Sequence, residues 1–260
     1  MESSYIFWVM AVIAAVFVGL GKGGLPVIAG LAVPSLALFM SPISAAGLLL
    51  PVYIVSDVFA LMAYRRDYDK AVLKLAFIGM TAGVIIGTLT AHLIIEWIIT
   101  LLIGVMGTVY ALKMLFEKPP IPRLNTQKLN LPKGYFWTTV AGFTSFISHS
   151  GGPPWQIFTL PLRLPKTVFV GTSVIVFSYV NFIKLFPYIW LGQINLESTY
   201  ISLLLMIPAA AAVYLGVRAV KWIPEALFFK LVTRALLLIS IKLMVDGIRA
   251  GDLFNASGLT

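Results

Sequence analysis

The chain has 260 residues, 60% of them hydrophobic and only 11% charged, whereas a water-soluble domain carries about 25% charged residues. That much apolar surface requires lipid as solvent. The net charge of +9 does not imply nucleic-acid binding, because Lys and Arg stand singly at the ends of apolar runs with no basic stripe. The absence of cysteine excludes disulfides, thiolate metal sites and a thiol nucleophile.

In chain order, the apolar runs of the first half are 5–20, 25–40, 44–63, 71–91 and 95–116. The first has Glu2 ahead of it and Gly-Lys-Gly-Gly behind it, which argues against a cleaved signal peptide. A polar, Pro-containing linker over 117–134 follows, then runs at 135–148, 153–163, 166–189, 198–218 and 224–248. A span needs about 20 helical residues, and the third, fourth and fifth runs of each half supply them. Runs 135–148 and 153–163 would reach only about 21 and 16 Å. They are read as a broken or re-entrant pair, tolerated at that depth only where protein or a water-filled cavity surrounds it.

The halves repeat each other. At a shift of 128, Gly23, Gly24 and Pro26 fall on Gly151, Gly152 and Pro154. At 124, Asp57 meets Asn181 and Tyr64 meets Tyr188; at 129, Gly87 meets Gly216 and Glu96 meets Glu225. Three blocks in one order indicate an internal duplication of residues 1–116 in 135–260. Basic residues set the orientation. Arg65, Arg66, Lys70 and Lys74, the linker's Lys118, Arg123, Lys128 and Lys133, then Arg163 and Lys166, and Arg218 and Lys221 are expected in the cytoplasm. The loops around His92–Glu96 and at 190–198, with no Lys or Arg, are expected outside. Two repeats of five segments then point in opposite directions. The expected fold is an all-α polytopic membrane protein. Each of its inverted-topology repeats has three full transmembrane helices plus a short broken helix pair, and both termini are periplasmic.

Short Gly/Pro-interrupted segments at matching places in inverted halves point to a transporter's binding site. Glycines admit close backbone approach, and half-helix N-termini carry partial positive charge. Lys22, Gly23 and Gly24 from the first break, and Ser148, His149, Ser150, Gly151 and Gly152 from the second, are the candidate anion ligands. Thr144, Ser145, Thr172 and Ser173 are further donors. Lys22 reads equally as a snorkelling lysine, the glycines as helix-packing contacts, and Thr172 and Ser173 as hydroxyls bonding back to their own helix. Glu96 and Glu225 suit helix starts. Asp57, inside an apolar run, would cost about 2.5–3.5 kcal/mol if unpaired. With Asn181 and Lys184 it forms a candidate coupling or gating group, or a structural ion pair joining the halves.

Gly21-Lys22-Gly23-Gly24-Leu25-Pro26 and His149-Ser150-Gly151-Gly152-Pro153-Pro154 resemble the two Gly-rich signatures of the TauE/SafE sulfite-exporter family of membrane permeases. Leu164-Pro165-Lys166, Gly171-Thr172-Ser173, Asn181, Lys184 and Leu191-Gly192-Gln193-Ile194 continue the likeness over about residues 5–248. The resemblance implies an inner-membrane permease for sulfite, organosulfonates or related anions, with export favoured. An anion channel and a carrier of small carboxylates are the alternatives. An intramembrane enzyme is disfavoured by two histidines without metal-ligand spacing, and no phosphate-binding loop for a nucleotide is present, so no cofactor is expected. The expected partners are a small anion and the bilayer; the oligomeric state stays open.

Overall fold

The computed structural model describes residues 5–36, 39–40, 42–93, 95–116, 129–194 and 196–256. The linker's Lys118, Arg123 and Lys128 lie outside these residues, as do the extreme termini. Among the described residues every regular element is helical. The elements are α1 (Tyr5–Lys22), α2 (Pro26–Ala29), α3 (Ala32–Leu36), α4 (Pro42–Tyr64), α5 (Lys70–Thr90) and α6 (Glu96–Phe116). After the linker come α7 (Leu131–Ser148), α8 (Gly152–Thr159), α9 (Lys166–Trp190), α10 (Leu196–Trp222) and α11 (Glu225–Ala256).

Among the described residues, six helical stretches are long and apolar enough to cross a membrane: Tyr5–Lys22, Ser44–Tyr64, Lys70–Thr90, Trp97–Phe116, Lys166–Trp190 and Ser198–Trp222. Several boundaries differ from the sequence reading, α10 running to Trp222 and α11 to Ala256 beyond the expected 218 and 248. The first run continues through Gly21 to Lys22, giving an 18-residue helix of about 27 Å. Helix α7 starts four residues before 135, inside the expected linker. There the Asn130 side chain accepts the Lys133 N–H at 3.1 Å, and Pro132 occupies a first-turn position where its missing N–H costs nothing. Run 25–40 is two short helices, α2 and α3, split at Gly30–Leu31. Helix α11 exceeds a span's length but carries Lys230, Arg234, Lys242, Asp246 and Arg249 and is not among the six.

Packing pairs the two halves reciprocally. Helix α1 lies on α10 as α7 lies on α5, while α4 meets α9 and α6 meets α11. Small residues let these backbones approach. A Cβ on Gly19 or Gly23 would collide with backbone of α10, one on Gly142 with backbone of α5, and one on Gly104 with backbone of α11. Basic residues gather at one end. There the Asp69 N–H donates to Thr172 Oγ1 (3.0 Å), joining the α4–α5 loop to the start of α9. Lys166 Nζ caps the carbonyls of Val220 and Ile223 at 2.7 and 2.6 Å, so Arg65, Arg66, Lys166, Arg218 and Lys221 share that end.

Candidate functional site

Two helix breaks face each other inside the bundle. The first, Gly23–Leu25, turns α1 into α2 with Gly24 at φ +112°, a conformation that side-chain-bearing residues rarely adopt. Tyr64 Oη holds it by donating to the Gly23 carbonyl at 2.8 Å. The second, His149–Gly151, follows α7, which His149 closes in the left-handed conformation at φ 54°. Tyr188, the repeat partner of Tyr64, donates to the Phe146 carbonyl beside this break.

Between the breaks lies a cavity of about 100 Å³, room for several water molecules or one small anion. Its polar lining is Lys22, Tyr53, Ser145, His149, Ser150, Gln156, Ser173 and Asn181, with Gly24 and Gly152 contributing bare backbone. The rest of the wall is apolar, from Val170, Val174 and Phe177 of α9 and Leu236, Ile239 and Leu243 of α11. Lys22 therefore does not snorkel. It is only 7% exposed, and its ammonium pairs with Asp57 Oδ1 at 2.5 Å and sits 5.3 Å from the Tyr53 ring centre. The Asp57 carboxylate also accepts from Ser178 Oγ and Asn181 Nδ2, both at 2.8 Å. One carboxylate thus ties α1, α4 and α9 together, and its lone pairs are largely taken.

Behind the cavity, fully buried Lys184 makes three contacts: to the Ser145 carbonyl (2.9 Å), Ser145 Oγ (3.3 Å) and His149 Nδ1 (2.9 Å). The other ring nitrogen of His149 meets the Ala46 carbonyl at 3.1 Å, so Nε2 carries the hydrogen and Nδ1 is the acceptor. The ring stacks on Tyr53, centroids 4.8 Å apart.

The remaining sequence-predicted residues divide. Gly23 and Gly151 do not line the cavity; a Cβ on either would strike backbone, of α10 or of α7, so they are packing glycines. Thr172 is turned away, spent on the Asp69 N–H. Ser173 lines the cavity, but its hydroxyl donates to the Phe169 carbonyl and accepts from Trp155 Nε1. Thr144 Oγ1 bonds to the Val140 carbonyl of its own helix. Ser148 lines a neighbouring cavity of about 310 Å³ that shares Ala29, Gly30, His149, Ser150 and Leu243 with the first. That second chamber also holds Trp97 and the Lys242–Asp246 ion pair. The expected pair of half-helix N-termini reduces to one. Helix α2 has four residues, too few to sum a useful dipole, whereas α8 has eight. Prolines at 153 and 154 leave Gly152 as the N–H that this terminus presents.

Sequence reasoning missed Tyr53, Gln156 and Ser178. Tyr53 precedes Asp57 by one helical turn and Ser178 precedes Asn181 by three residues, so both lie on faces already marked by the polar partner. Gln156, an amide in an apolar segment, is 3% exposed, and its Oε1 has no partner among the described residues.

Residues 7–243 match the family model described as "Sulfite exporter TauE/SafE". No curated protein and no solved structure matches the chain.

Proposed function

We propose, from the premise that this chain belongs to the sulfite exporter TauE/SafE family, that it carries sulfite or a small organosulfonate across the inner membrane by alternating access around the cavity between the helix breaks, with export favoured. The observation that carries this reading is a buried ammonium, Lys22, lining a cavity whose other polar groups include the Gly152 backbone, Ser150 and the Gln156 amide. An oxyanion head with three oxygens needs several convergent donors around one positive charge, and this lining offers such groups. The apolar wall suits the short organic body of a sulfonate. Lys22 acts as counter-charge. Asp57, held from α1 and α9, acts as a lock between the halves whose grip on Lys22 an arriving anion weakens by competing for the ammonium.

The two halves are inverted repeats, and three features support this. The matched blocks of sequence, the reciprocal helix pairing and the gathering of basic residues at one end all fit segments of opposite direction. The finer topology places Ser198 and Ser257 in the periplasm and Thr126 in the cytoplasm. Single cysteines at Ser198 and Ser257 should react with a membrane-impermeant thiol reagent from outside, and one at Thr126 should not. Labelling of Thr126 from the periplasm sinks the inverted arrangement. The chain's own lack of cysteine keeps the assay clean.

Flux through purified protein in liposomes tests the function itself. Uptake of sulfite or methanesulfonate should saturate with concentration and show counterflow when the lumen is preloaded with the unlabelled anion. Flux that rises without saturation and shows no counterflow would instead mark a channel.

A further inference from the structure

We infer that the buried Lys184–His149 pair is a proton site that fills when the anion binds, so that the protein takes up one proton with each anion. The inference rests on the anion-carrier reading and adds to it the ion that balances the cargo. It starts from a geometric requirement. Lys184 Nζ and His149 Nδ1 stand 2.9 Å apart, and a hydrogen bond at that distance needs one donor and one acceptor. Two bases so placed share a proton instead of each holding one.

The surrounding charges are few. From α1 the pair is faced by Lys22, from α4 by Asp57 and Tyr53, and from α11, across the second chamber that His149 lines, by the Lys242–Asp246 ion pair. From α9 itself comes Tyr188, whose ring lies 5.8 Å from Lys184 Nζ. Both phenols are engaged with backbone carbonyls, Tyr53 with Ala29 at 3.2 Å and Tyr188 with Phe146. Lys22 and Asp57 cancel each other, as do Lys242 and Asp246. Among the described residues, the charge left variable in this buried cluster is therefore the proton on the Lys184–His149 pair. A charge without a counter-ion in a low-dielectric interior is costly, so an empty cavity favours a pair without the extra proton, in which the two Lys184 N–H groups serve the Ser145 carbonyl and His149 Nδ1 and the amine lone pair faces the Ser145 hydroxyl. A monovalent anion beside Lys22 and His149 favours the pair with it.

Position makes the exchange feasible. His149 lines both chambers, whereas Lys184 is completely buried behind it, so His149 is the point at which the pair meets solvent in the cavities. Proton and anion then fill the site together and leave together, which is reciprocal linkage between two ligands. Asp57 is not needed as the proton carrier, because its oxygens are already held by Lys22, Ser178 and Asn181.

The test is calorimetry of the full-length protein in detergent, titrated with methanesulfonate and with sulfite in buffers of different ionisation enthalpy. The readout is the number of protons taken up per anion, wild type minus variant, so that protonation of the ligand itself cancels. Wild type should exceed Lys184→Met by about one proton. Its methanesulfonate affinity should fall about tenfold per pH unit over the range where the empty pair lacks the proton, while that of Lys184→Met should stay flat. Lys184→Arg guards against misfolding of the methionine variant. Its guanidinium keeps its proton, so it should bind anion with no uptake and no pH slope. Equal proton uptake in wild type and in a folded Lys184 variant overturns the proton site and leaves the carrier reading standing. Failure of the wild type to bind either anion overturns the carrier reading, and the proton site with it.

Discussion

Lys22→Gln is expected to abolish anion binding and to destabilise the protein by about 3–5 kcal/mol, because it removes the cavity's counter-charge and strands the Asp57 carboxylate. Asp57 is only 4% exposed, and Ser178 and Asn181 give it hydrogen bonds but no charge. The reciprocal variant separates the two roles. Asp57→Asn also loses the pair and should show a similar drop in thermal stability. It frees the Lys22 ammonium, however, so its anion affinity should be retained or increased. The double variant Lys22→Gln/Asp57→Asn removes both charges and should recover most of the stability without recovering binding. Thermal unfolding and isothermal titration of the four proteins complete the cycle. Wild-type anion affinity in a folded Lys22→Gln protein would place the binding site elsewhere. Full uphill transport by a stable Asp57→Asn protein would show that Asp57 neither locks the halves nor couples transport.

The second large effect distinguishes two glycines that the repeat makes equivalent. Gly24→Val should unfold or fail to insert. Its φ of +112° is unfavourable for any side chain, and its Cβ would lie 2.8 Å from Tyr64 Oη and 2.9 Å from the methyls of Val170 and Val220. Gly152→Val should behave in the opposite way. A Cβ at that position meets nothing within 4 Å, and the residue lines the cavity, so the valine projects into the space meant for substrate. The expected result is a monodisperse protein with wild-type melting temperature whose anion affinity has fallen at least tenfold, with Gly152→Ala intermediate. A well-behaved Gly24→Val protein, or unimpaired binding by Gly152→Val, would show that the two breaks are not built as described.

The sequence by itself determined the solvent, the helices and the place to look. Hydropathy runs are set by the bilayer's thickness, and Gly-Gly-Pro clusters interrupt any helix, so both survive translation into letters. The duplicated blocks also marked the two breaks as a pair, and Lys22, Asp57, His149, Gly152 and Asn181 were all named from residue type and position. Tertiary structure alone decided what each of these residues touches. Gly23, Gly24, Gly151 and Gly152 read alike, yet Gly24 takes a positive φ in a crowded place, Gly152 has open space beside it in the cavity, and Gly23 and Gly151 pack against neighbouring backbone. The difference lies in which helix crosses at that point, and no local pattern encodes the crossing. Thr172 and Ser173 are adjacent in sequence, but a helix turns successive side chains about 100° apart, sending one to the Asp69 N–H and the other to Trp155. The Lys184–His149 contact joins residues 35 apart on two helices. Helical periodicity shows which residues share a face but not which face it meets, so that pairing became visible only when α7 and α9 were brought together.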